Sequence, residues 1–135
     1  MRKQRLKNRT RSEFDMRRMD SETYQLRRNV INIIYDIKRM GYDIPRIEVR
    51  IVQKREETNI MGYAYLNQNI VHIDQYWAGA NKNRLVHLVL HEIVHAVTGF
   101  RHDDDCYLMN PIIPKKPDLE LTWKAFDYYM KGYRR

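Results

Sequence analysis

Between Ser21 and about Met40, the apolar residues Leu26, Val30, Ile33, Ile34 and Ile37 recur at spacings of three and four. That is the stripe of an amphipathic helix with one face turned to a core. Asp20 or Ser21 can cap its start, Gly41 stops it, and Pro45 bars its resumption. The period then changes. Ile47, Val49 and Ile51 alternate with Arg46, Glu48 and Arg50, which predicts a half-buried strand over 46–52. Two more strands are predicted at 60–66 and 70–74, joined as a hairpin by the polar turn Asn67-Gln68-Asn69. From Lys82 to about Thr98, Leu85, Leu88, Val89, Val94 and Val97 give a broad apolar surface, with Asn81 able to start the helix and Gly99 to end it. A helix this apolar belongs at the centre of the fold. A polar, proline-containing loop leads to Pro117, and Asp118 caps a last helix to about Lys131 with Leu121, Ala125, Phe126 and Tyr129 inward. No internal repeat or linker divides the chain. The expected architecture is α+β: an N-terminal helix, a small mixed sheet of about three to four strands, a central helix and a C-terminal helix.

The central helix carries the chemistry. His91-Glu92-Ile93-Val94-His95 interrupts its most apolar part, where two imidazoles and a carboxylate are costly to bury without a partner such as a metal. Residues at i and i+4 stand one above the other on one helical face, so His91 and His95 can both offer a ring nitrogen to one ion. Zinc suits two such nitrogens, as half of a tetrahedral shell. Glu92 follows the first histidine and can serve as a proton acceptor and donor beside the ion without binding it. His87 lies one further turn back. Ligands on three consecutive turns cannot converge on one ion, so a packing or supporting role is expected of it.

Two histidines leave a shell incomplete. His102 is the first choice for a third ligand, because Gly99 tolerates a left-handed conformation that lets the chain swing back toward the ion. Asp103, Asp104 and Asp105 in the same loop, and Glu120 or Asp118 at the last helix, are its rivals.

Length and charge narrow the setting. With 135 residues the chain suits one domain with a real core. No apolar run approaches the roughly 20 residues of a membrane-spanning helix. The N-terminal charges are not followed by the apolar segment of a secretory signal, and Cys106 is the only cysteine, so an intracellular location is expected. The net charge is +8, and the first eighteen residues hold eight Arg or Lys against Glu13 and Asp15. Residues 1–19 therefore read as a basic arm ahead of a domain over 20–135. The arm is either a solvated, poorly ordered terminus or an attachment point for nucleic acid or another polyanion.

His91-Glu92-x-x-His95, then Gly99, His102 and Met109, resemble the metzincin clan of zinc peptidases. In that clan three histidines of an extended motif hold one zinc ion, and a Met-turn places a methionine beneath them; Cys106-Tyr107-Leu108-Met109-Asn110-Pro111 looks like that turn. The run from Gly62 to Ile73 is similar to the strand bordering the clan's cleft. The resemblance implies a zincin-like fold and hydrolysis of a peptide or protein substrate by metal-activated water, with Glu92 as general base. It also implies that an extended substrate adds itself to the strand edge formed by Ile70, Val71, His72 and Ile73. His72 can contact substrate there or be an ordinary exposed strand residue. Gly99 falls one residue later than in the clan's pattern, and the leading helix resembles gluzincin-like peptidases whose third ligand is a glutamate on a later helix, which keeps Glu120 in view. Two other functions remain open: a DNA-associated intracellular protease of the SprT-like or ImmA-like kind, and a non-enzymatic basic binding protein stapled by a structural zinc.

Overall fold

The computed structural model describes the backbone of residues 2–52, 62–64 and 68–133, with side chains over 21–52, 68–75 and 77–131. It is an α+β arrangement of α1 (Arg2–Arg39), β1 (Glu48–Val52), β2 (Gly62–Ala64), β3 (Ile70–Asp74), α2 (Lys82–Thr98) and α3 (Leu119–Tyr133), with a short 3-10 turn over Gln75–Gly79.

Helix α1 does not start at the expected Asp20 or Ser21 cap but runs continuously from Arg2. The first 40 residues contain no glycine or proline and are rich in Arg and Met, both good helix formers, so no helix-breaking residue stops the helix at Asp20. At 1.5 Å per residue the helix is about 57 Å long. Its buried stripe is the expected one: Leu26, Val30, Ile33, Ile34 and Ile37 are all in the core. Gly41, at φ 98°, turns the chain out of the helix, a left-handed conformation that glycine adopts without strain.

The three strands form one mixed sheet in the order β1-β3-β2. Strand β1 runs parallel to β3, with Val49 opposite Val71 and Ile51 opposite Ile73. Strands β2 and β3 pair antiparallel, Tyr63 opposite His72, as the expected hairpin requires; Ile60, Met61 and Tyr65 to Asn67 of that expectation lie outside the described residues. One expectation is overturned. Ile70, Val71, His72 and Ile73 do not form a sheet edge, because β3 is the middle strand with a neighbour on each side. Its consecutive buried residues Val71 to Asp74 show that both faces of the strand are covered as well. His72 is accordingly buried, not exposed.

Helices α1 and α2 pack on the sheet and on each other, and α3 packs on α2. Every residue from Leu85 to Val97 of α2 is buried, so the expected central helix is the spine of the core. In α3 the buried positions are Thr122, Phe126, Tyr129 and Met130, whereas Leu121, expected inward, is 46% exposed. Spacings of four, three and one define a face centred on Phe126, and Leu121 lies beside it. Among the described residues no helix is long and apolar enough to cross a membrane.

Candidate metal centre

Helix α2 presents the site because both of its ends are fixed. The Asn81 side chain accepts a hydrogen bond from the Asn83 N–H at 2.7 Å, and Gly99 closes the helix at φ 80°, donating its N–H to the His95 carbonyl. The left-handed step at Gly99 turns Phe100 back over the last turn. There the Phe100 carbonyl accepts the Nδ1–H of His95 at 2.6 Å. One turn earlier, the Leu108 carbonyl accepts the Nδ1–H of His91 at 2.7 Å.

These two hydrogen bonds settle the state of both rings. A carbonyl oxygen can only accept, so each Nδ1 carries the proton, and each neutral ring turns a bare lone pair out from Nε2. The two Nε2 atoms stand 3.2 Å apart. His102 comes round from the loop after Gly99 to complete the group, its ring centroid 5.1 Å from that of His91 and 4.9 Å from that of His95. One ligand nitrogen from each of the three lies within 4.8 Å of the others. Burial disfavours the alternative of a protonated ring: it pushes His91 down to about 3, with the Leu108 hydrogen bond opposing only in part, and it lowers His95 as well. Two buried lone pairs, with a third imidazole nitrogen within reach, suit a cation with a preference for imidazole.

The loop after α2 is tied to itself so that the third histidine has a defined place. The Asp103 N–H donates to the Met109 carbonyl at 3.0 Å, and the Asn110 N–H to the Cys106 carbonyl at 3.1 Å. The turn 106–110 thus supports both His91, through Leu108, and the residue after His102, through Met109. Met109 itself is fully buried. Tyr107 extends the brace to α3: its hydroxyl accepts the Asp118 N–H at 2.7 Å, and its ring meets the His87 ring edge-on at 5.2 Å. His87 is fully buried, with its Nδ1 2.8 Å from the Thr122 hydroxyl. It joins α2 to α3 and takes no part in the three-histidine group.

Glu92 is 3% exposed, and its Oε1 has no hydrogen-bond partner among the described residues. Burial alone pushes its carboxyl up to about 8, which makes it a group that holds a proton in the metal-free site and would release it beside a positive charge. The rival ligands are placed elsewhere. Asp103 is exposed; its carboxylate accepts from the Asp105 N–H at 3.0 Å and from the Tyr129 hydroxyl at 3.4 Å. Asp118 caps α3 by accepting from the Glu120 N–H at 3.0 Å. Glu120, in the first turn of α3, is exposed. Neither Glu120 nor an aspartate belongs to the three-histidine group.

Sequence reasoning missed the two backbone carbonyls, which no side-chain pattern could reveal, and the Tyr107 and Thr122 braces. No family model matches this chain, and comparison with curated proteins and with solved structures finds no match.

Proposed function

We propose that the protein is a zinc-dependent metallopeptidase of zincin-like fold, with one ion held by His91, His95 and His102. The observation that carries this reading is the pair of Nε2 lone pairs 3.2 Å apart, each fixed in that state by a carbonyl on its own Nδ1. Without a cation between them the two nitrogens repel, and burial denies them the proton that would relieve it. Three protein ligands leave one position of a tetrahedral shell for water or substrate, whereas a structural site closes with four.

A bound zinc ion would supply Lewis acidity, making water acidic enough to deprotonate near neutral pH and polarising a carbonyl oxygen. The chain supplies the rest. Glu92 accepts a proton from water and returns it to the leaving amine, a transfer suited by a carboxyl whose proton affinity lies near neutrality. Leu108 and Phe100 hold the two helical rings in register through their carbonyls. Because β3 is interior, an extended peptide that pairs with the sheet would do so at an outer strand, and β2 is the outer strand that packs on α2.

Metal analysis of the wild type beside His102→Ala and Glu120→Ala, combined with a broad peptide-cleavage screen, tests the proposal. One equivalent of zinc in the wild type and Glu120→Ala, lost in His102→Ala, is expected, with cleavage abolished by Glu92→Ala. A protein that binds no zinc, or cleavage that survives Glu92→Ala, would refute it. The basic first half of α1 supports a DNA-associated variant of the same reading, in which eight Arg or Lys in the first eighteen residues hold the enzyme on a polyanion. Salt-sensitive binding of duplex DNA, lost on removing residues 1–18, would support that variant.

A further inference from the structure

We propose that the cavity beside His102 binds an aromatic side chain of the substrate, on a residue flanking the bond to be cut. This rests on the metallopeptidase reading and gives it a substrate class. The cavity, about 800 Å³, opens between the loop after α2 and the end of α3, and His102 forms part of its wall. Its size falls in the range of about 300 to 1,000 Å³ in which proteins hold compact ligands. A group that enters it is therefore next to the candidate metal centre.

Three rings line it in sequence. Phe100 meets Tyr129 at 5.2 Å between centroids and 62° between planes, and Tyr129 meets Tyr128 at 5.5 Å and 85°. Aromatic rings prefer such edge-to-face steps, and a further ring can extend the series. The middle ring is 8% exposed, whereas Phe100 is 42% and Tyr128 74% exposed, so the two outer rings are available to a visitor.

Two parts of the wall are held in place before anything binds. The Phe100 N–H donates to the Thr98 hydroxyl at 3.1 Å, and its carbonyl holds His95. The Tyr129 hydroxyl donates to Asp103. The Phe100 backbone and the Tyr129 ring therefore need no ordering on binding, which favours affinity. Charge does not select the occupant: Arg101, Lys131, Asp103 and Asp104 all line the cavity, two positive against two negative. What distinguishes the cavity is its aromatic wall.

The test uses the full chain loaded with zinc, with metal content measured independently, and isothermal titration with three hydroxamates. Acetyl-phenylalanine hydroxamate should bind about tenfold more tightly than acetyl-alanine hydroxamate, the order expected of an aromatic contact on top of simple burial. Tyr128→Ser should reduce that ratio to about threefold or less, Tyr128→Phe should restore it, and affinity for acetohydroxamate should be unchanged in both. Zinc-loaded protein that binds the phenylalanine and alanine compounds equally overturns the aromatic site and leaves the metal centre standing. A ratio that survives Tyr128→Ser also overturns it. Protein that takes up no zinc overturns the metallopeptidase reading, and the substrate assignment with it.

Discussion

Replacing His102 by alanine should leave the metal-free protein almost unchanged and remove most of its stabilisation by zinc. His102 is exposed, and among the described residues its ring contacts are with His91 and His95, so its loss opens no core cavity, and a cost within about 0.5 kcal/mol is expected without metal. Bound zinc changes the balance. A ligand present at 100 times its dissociation constant stabilises a folded chain by about 2.7 kcal/mol. Loss of even an outer partner of a ligand weakens metal binding by up to about a hundredfold, and loss of a ligand itself should do at least as much. At the same zinc concentration the stabilisation then falls to about 0.4 kcal/mol. For a chain of this size about 4 °C accompanies each kcal/mol, so zinc should raise the melting temperature by about 10 °C in the wild type and about 2 °C in the variant. Thermal unfolding in zinc and in chelator, followed by circular dichroism, measures all four values. A variant that melts lower in chelator but keeps the full zinc shift would show His102 to be a packing residue, and the coordination argument would be wrong.

Glu92→Gln keeps the shape of the side chain and should retain zinc while lowering peptide cleavage by about 10²- to 10⁴-fold, the usual worth of a positioned proton-transfer group, in a rate assay at saturating zinc. The same variant probes linkage. Because the folded carboxyl is raised to about 8, the wild type's contribution from this group is complete below the unfolded value near 4.5 and is lost as pH rises toward 8, so the metal-free variant should gain on the wild type across that window and level off above it. Urea titrations at several pH values would detect this, and a difference that stays flat would refute the burial argument. His91 and His87 act in the opposite sense: burial lowers them to about 3 and about 4, so the stability they bring is present above about 6.5 and lost as pH falls through the acid range. Metal-free His87→Gln should therefore lose less stability than the wild type between pH 6.5 and 4. Gly99→Ala forces a side chain into the left-handed region at φ 80°, which should cost about 1 to 2 kcal/mol. By shifting the Phe100 carbonyl it should also weaken zinc binding measured by chelator competition; unchanged affinity would show that this carbonyl does not set the His95 ring.

Much of this arrangement is written in local sequence. The 3–4 spacing from Leu26 to Ile37 and the apolar run around His91 specify two helices and their buried faces, because a helix places every third or fourth residue on one side whatever surrounds it. The same periodicity aligns His91 with His95, and Asn81, Gly99 and Asp118 mark helix ends through their own backbone and side-chain preferences. The α+β order of elements could likewise be read from changes of period.

Other features depended on partners distant in the chain. Strand β3 became central because β1, about twenty residues earlier, pairs along one side of it while β2 takes the other; alternation within a strand says which face is buried but not how many edges are covered. Leu121 lost its inward place to the phase set by α3 against α2. Residue spacing allowed His102, Asp103 and Glu120 alike as partners for the two helical histidines. Only the folded loop, tied through Asp103 to the Met109 carbonyl, brings His102 and not the carboxylates to them. The Leu108 and Phe100 carbonyls that fix the two rings are backbone groups whose direction comes from the path of the chain, so no pattern of side chains could announce them.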